Sequence, residues 1–151
     1  MITILAIGKK HEDWVGTGIE RYEKRLKKPF DVKWVLLPHS SRDGLEARRS
    51  ESDLLLSRLE GRDVIILLDE VGTMLDSPAL STLLSQQFVD AKNVVIIIGG
   101  AYGVDERIHA RATVVWSLSK LVFPHQLVRL LLVEQIYRSQ EIANGGNYHH
   151  I

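Results

Sequence analysis

The 151 residues suit one domain with a sizeable core, and the 45% hydrophobic and 25% charged composition is that of a soluble globular protein. No cysteine is present, which excludes disulfides, thiolate metal sites and cysteine nucleophiles. Nineteen Lys+Arg balance nineteen Asp+Glu, so net charge does not point to an autonomous nucleic-acid-binding domain.

Strand and helix patterns alternate from the start. Ile2–Gly8 reads as a first strand; without a basic leader or a long apolar core it is no signal peptide, and a cytoplasmic protein is expected. A helix follows from about Asp13 to Lys28, with Trp14, Ile19, Tyr22 and Leu26 on one face and Pro29 ending it. Asp31–Leu37 alternates as a half-buried strand. A second helix runs from Gly44 to about Glu60, where Gly61 stops it. Val64–Leu68 and Val94–Ile98 are continuous aliphatic runs, as in strands of a parallel sheet covered on both faces. Between them, Ser77 as N-cap and Pro78 as first helical residue open a helix to about Asp90. A short helix near Asp105–Ala112 and a strand at Thr113–Leu118 precede a long helix from Pro124 to about Ala143. Five strands alternating with helices predict an α/β fold, a doubly wound sheet sandwiched by helices, in a single domain over residues 1–151. The longest apolar stretch, Val94 to Val104, is too short for a membrane span, so no membrane partner is expected.

The last helix is apolar nearly all round from Leu127 to Val133, with Arg129 alone polar. Such a helix has to be covered on both sides, which predicts a homodimer built on it.

Open α/β sheets bind ligands outside the carboxyl ends of their strands. Three such ends stand out: Leu68-Asp69-Glu70, Ile98-Gly99-Gly100, and the irregular Trp116–His125 segment with its free main-chain groups. The turn after the first strand lacks G-x-G-x-x-G and the chain has no P-loop, which argues against a standard NAD enzyme or ATPase. His125, His149 and His150 have no recognisable ligand spacing with carboxylates, so no metal is expected. Glu134 and Arg138, at i and i+4, read as a helix ion pair. Asp69 at its strand end fits either a catalytic carboxylate or a loop cap. Residues 1–50 hold 11 basic and 7 acidic side chains, with Arg21, Lys24, Arg25, Lys27 and Lys28 close together. That run reads as a solvated helix face or as a phosphate-contacting patch.

Several ordered segments together resemble the SPOUT-class methyltransferases of the RlmH type. They are Gly8-Lys9 with Asp13-Trp14, Leu68-Asp69, Ile98-Gly99-Gly100 with Gly103, Trp116-Ser117-Leu118-Ser119, Phe123–Arg129, Glu134–Arg138 and Tyr148-His149. The resemblance spans essentially the whole chain. It implies a C-terminal trefoil knot and a homodimer whose active site is completed across the interface. It also implies methyl transfer from S-adenosyl-L-methionine to N3 of a pseudouridine in the 23S rRNA of the assembled ribosome. The co-substrate would be held by Leu68, Gly99 and the segment Leu118, Ser119, Lys120, Leu121, Val122 and Phe123. Where the family commonly has a basic residue after the Tyr-His pair, this chain has His150.

A sulfonium donor transfers its methyl in line, and the pyrimidine N3 has to lose its imino proton. Tyr148 or His149 is expected to contact the base, Arg129 or Arg138 a phosphate or a carbonyl oxygen, and a neutral histidine to be able to accept the proton. Two alternatives stay open: the same chemistry on tRNA, and a non-catalytic ribosome-binding factor.

Overall fold

The computed structural model describes residues 1–150, so Ile151, the last residue of the tail considered above, lies outside it. The strands are β1 (Ile2–Ile7), β2 (Val32–Leu37), β3 (Val64–Met74), β4 (Val94–Ile98) and β5 (Val114–Ser117). The helices are α1 (Asp13–Glu23), α2 (Gly44–Leu56), α3 (Ser77–Val89), α4 (Glu106–Arg111) and α5 (His125–Ala143). All five strands pair in parallel in one sheet, in the order β2-β1-β4-β3-β5. This is the helix-flanked α/β sheet that the alternating pattern predicts.

Both faces of the sheet are dry. Ile2, Ile4, Ala6, Ile66, Ile96 and Ile98 pack under Val15 and Ile19 of α1, Leu80 and Leu84 of α3, and Leu132, Val133 and Ile136 of α5. The intervening positions Leu5, Ile7, Ile65, Leu67, Val95 and Ile97 pack on the other face against Leu55 of α2 and Ile108 of α4. Period-two alternation sends successive side chains to opposite layers, and every residue of β4 is buried. Each such aliphatic side chain contributes about 1.5–3 kcal/mol of burial.

Several element ends differ from the pattern-based reading. Helix α1 stops at Glu23 rather than near Lys28. Gln140 of α5 explains the early stop, because its side chain donates to Arg25 O (2.9 Å) and accepts from Lys27 N (2.6 Å). Helix α1 buries Val15 and leaves Trp14 56% exposed. The Trp14 indole donates to the Glu12 carboxylate at 2.6 Å instead of joining the core face. Helix α2 closes at Leu56, and Asp63 accepts from Glu60 N beyond it. Helix α3 is capped by Asp76, which accepts from Ala79 N at 2.8 Å, and not by Ser77. The Ser77 hydroxyl donates to Gln135 instead.

Strand β3 does not end at Leu68. It pairs with Trp116 of β5 twice, once through Leu68 and again through Thr73, so Asp69–Gly72 is looped out between the two pairings. A Cβ on Gly72 would lie 2.6 Å from the Val115 carbonyl. Only glycine allows the two backbones to come that close.

Candidate functional site

The bulge of β3 and the carboxyl ends of β4 and β5 enclose a cleft of about 640 Å³, within the size range of ligand pockets. The looped-out Asp69–Val71 forms one wall and the Leu118–Phe123 segment the other, with the Gly99–Val104 turn as floor. Asp69 is a loop-capping residue in this arrangement: it accepts from Val71 N at 3.0 Å and pairs with His109 Nε2 at 3.3 Å. The floor turn closes by Gly103 N donating to Gly100 O at 3.0 Å. A Cβ on Gly99 would sit 3.0 Å from Val104 and 3.3 Å from the Gly103 main chain, so the floor is already closely packed.

Of the residues expected to hold a ligand, Leu68, Gly99, Leu118, Ser119, Leu121, Val122 and Phe123 all line this cleft. Lys120 is exposed and outside the lining. Ser119 folds the segment on itself: its hydroxyl accepts from Leu121 N and its carbonyl accepts from Ser117 Oγ. His125 also lines the cleft, against the Gly99 main chain. Burial, reinforced by the Arg129 guanidinium, holds its ring below the ordinary histidine range.

Arg129 occupies a place that periodicity could not supply. It is 1% exposed and bonds to Ile7 O (2.9 Å), Gly8 O (3.1 Å) and Lys10 O (3.0 Å), with His11 Nδ1 at 3.2 Å. Its guanidinium is committed to the turn after β1, and so does not reach out to a phosphate. Gly8, at φ +120°, packs against it.

The other three expected catalytic residues come together on α5 and the tail. Arg138 pairs with Glu134 at 2.6 Å, as the i, i+4 spacing predicts. Tyr148 donates to the same Glu134 oxygen at 3.1 Å, under the Arg138 guanidinium 4.7 Å from its ring centroid. It also packs edge-on to Tyr137. His149 Nδ1 lies 3.2 Å from Arg138 Nη1. The tail is thereby docked, with His149 and His150 lining a second cleft of about 620 Å³ behind Leu118, Ser119 and Phe123. Within one protomer the tail and the first cleft sit on opposite sides of that one segment.

Burial and the Glu134 carboxylate push the Tyr148 phenol well above its ordinary value. A neutral acid held more tightly when folded stabilises the fold below the unfolded value of 10.0 and loses that contribution as pH rises beyond it. Urea unfolding at pH 8 and pH 11 is therefore expected to show an alkaline loss of stability that Tyr148→Phe reduces. An equal loss in both proteins would remove Tyr148 from the effect.

Two residues that brace the elements around the site were not singled out in the sequence. Glu51, on α2, is 3% exposed; it accepts from Ser40 N at 2.9 Å and lies against Gly100. Gln126 Oε1 accepts from Glu12 N at 2.9 Å, tying α1 to α5. Both are polar residues whose partners are distant in sequence. Among the described residues, no group of three or more His, Asp or Glu has metal-ligand geometry, and no helix is long and apolar enough to cross a membrane.

The family described as "Predicted SPOUT methyltransferase" matches residues 1–149. Among curated proteins, the chain is similar to "Ribosomal RNA large subunit methyltransferase H" of Marinomonas sp., 37% identical with 98% of each chain covered. The proteins of that name from Saccharophagus degradans and Geotalea daltonii are 38% and 36% identical, with 98% and 99% of each chain covered. A family match over residues 1–149, with relatives of this identity along nearly the whole chain, makes this chain a member of the SPOUT methyltransferase family.

Proposed function

We propose that the protein transfers a methyl group from S-adenosyl-L-methionine to N3 of a pseudouridine in the 23S rRNA of the assembled ribosome. The observation that carries this reading is the convergence of the β3 bulge and the ends of β4 and β5 on one cleft of about 640 Å³, in a chain of this family. Leu68, Ile98, Leu118 and Phe123 offer apolar walls suited to an adenine, and the closely packed Gly99 floor leaves main-chain groups to meet it. Leu118–Phe123, Gly99 and Leu68 would hold the co-substrate. When bound, it supplies the electrophilic methyl on sulfur. The protein aligns the target nitrogen with it, excludes water and stabilises charge on the base carbonyls.

Family membership supports a trefoil knot in the C-terminal half and a single domain over residues 1–151. Support for a homodimer comes from α5, whose Leu127, Leu130 and Leu131 are only partly covered, and from Leu121 and Val122, 70% and 78% exposed at the cleft rim. A second copy would bring its own Tyr148, His149 and Arg138 to a cleft that the first copy's tail faces from behind. Arg129 belongs to this reading as a positioning residue. An rRNA substrate fits a cytoplasmic protein.

The first test is transfer of a labelled methyl group to purified ribosomes lacking this modification, with free 23S RNA and tRNA in parallel. Incorporation into 23S rRNA only in assembled ribosomes is expected. Incorporation into tRNA alone, or none anywhere, would overturn the reading.

The exposed Arg21, Lys24, Arg25, Lys27 and Lys28 give RNA a place to land. Arg25 lies over the Tyr137 ring at 6.0 Å, which packs on Tyr148, so the cations lead from the end of α1 to the docked tail. Replacing Arg25, Lys27 and Lys28 together by alanine is expected to weaken ribosome binding about tenfold or more. The slope of log affinity against log salt should fall by about two to three, with co-substrate affinity unchanged. An unaltered slope would place the RNA elsewhere.

A further inference from the structure

Methyl transfer to an imino nitrogen needs an acceptor for its proton, and most candidate side chains are already engaged. Tyr148 donates its own hydrogen to Glu134, and Glu134 is held by Arg138 at 2.6 Å and by Gln135 at 2.7 Å. His149 Nδ1 faces the Arg138 guanidinium. Asp69 is divided between Val71 N and His109. Glu51 is 3% exposed, accepts from Ser40 N at 2.9 Å and is not among the residues that line the cleft.

His125 differs from all of these. It is the first residue of α5, directly after the Phe123-Pro124 segment, and its ring lines the cleft beside Gly99. The ring lies by the Gly99 main chain and borders the space a ligand would fill, and an imidazole has two nitrogens, so a contact to one leaves the other available. Its charged and titratable neighbours are Arg129 on its own helix, His39 beyond β2 and Glu51 on α2, with Asp69 and His109 lining the same cleft. Burial, with Arg129 acting in the same sense, outweighs the Gly99 contact and Glu51 and lowers the pKa of the ring, which favours its neutral, proton-accepting form.

We propose that His125 is the proton acceptor of the methyl transfer proposed above, and the inference rests on that reading. As the N3–CH3 bond forms and the S–CH3 bond breaks, the N3 proton passes to the free imidazole nitrogen. S-Adenosylhomocysteine leaves with a neutral sulfur, and the imidazolium returns its proton to water before the next turnover. Buried Arg129 disfavours lasting charge on the ring, which speeds that return.

The test is single-turnover methyl transfer to assembled ribosomes across pH, with wild type, His125→Asn and His125→Ala, alongside calorimetric S-adenosylmethionine binding. His125→Asn is expected to lose about 100-fold or more in rate at pH 7 while binding the co-substrate within about threefold of wild type. The acidic limb of the wild-type profile should vanish, the variant's rate should climb with pH as solution base takes over, and added imidazole should restore part of the His125→Ala rate. A wild-type rate and profile in His125→Asn would overturn the inference. So would a rate loss wholly accounted for by lost co-substrate binding, which would make the ring a support for the loop. No transfer by the wild type would instead overturn the function on which both rest.

Discussion

Arg129→Met is expected to lower the unfolding free energy by about 3 kcal/mol or more, the largest stability loss from a single side chain in this molecule. The guanidinium donates to three main-chain carbonyls within the turn after β1, of Ile7, Gly8 and Lys10. Methionine fills much of the volume and restores none of the donors, so the Ile7 and Gly8 carbonyls lose the guanidinium and Lys10 O is left with the longer bond from Gln126 Nε2 at 3.3 Å. A hydrogen bond from a charged donor contributes about 1.5–3 kcal/mol, and leaving out a buried charge offsets only part of that loss. Set against a typical total of about 5–15 kcal/mol, the variant sits near the threshold of folding. Arg129→Lys should recover little, because one ammonium cannot span carbonyls that a planar fork reaches together. Urea midpoints of the three proteins measure this. A midpoint within error of wild type for Arg129→Met would show that the turn holds itself.

The second large effect is expected at Gly72. Alanine there would place its Cβ 2.6 Å from the Val115 carbonyl group and 2.7 Å from Trp116 N, and all of these partners are main chain. Paired main chain cannot rotate aside as a side chain does, so the edge strand β5 has to part from β3. The loss should be about 3 kcal/mol, at the upper end for overpacking. It should also remove co-substrate binding, because the same bulge carries Asp69–Val71, one wall of the cleft. Hydrogen exchange at Trp116 and Ser117, with thermal unfolding, would report it. Protected amides and unimpaired ligand binding in Gly72→Ala would refute the close-approach argument.

What could be read in advance follows from how local each signal is. Val94–Ile98 was legible residue for residue, since an aliphatic run between turn residues has few other uses. The three cleft-lining segments were legible for the same reason, as places where apolar runs break into glycine and polar residues, although the first proved to be a bulge within β3 and not its end. The second half of β3 was not, because Asp69-Glu70-Val71-Gly72 has no strand pattern and pairing resumes only through contact with β5. Helix α1 was overextended because the residue that ends it, Gln140, lies 115 positions beyond the carbonyl it binds. Arg129 reads as a surface cation in any local window, and only the meeting of α5 with the turn after β1 buries it. The Glu134–Arg138 spacing was plain from the sequence, whereas the closing contact from Tyr148 comes from 14 residues beyond Glu134.

The segment Leu118–Phe123 has a different consequence. Leu118, Ser119 and Phe123 are wall to both clefts, one proposed for the co-substrate and one beside the tail histidines. A displacement of this shared wall toward one cleft changes the volume of the other. A ligand on the tail side that moves the wall is therefore expected to alter the grip on the proposed methyl donor, and by reciprocity the donor to alter that ligand's affinity by the same factor.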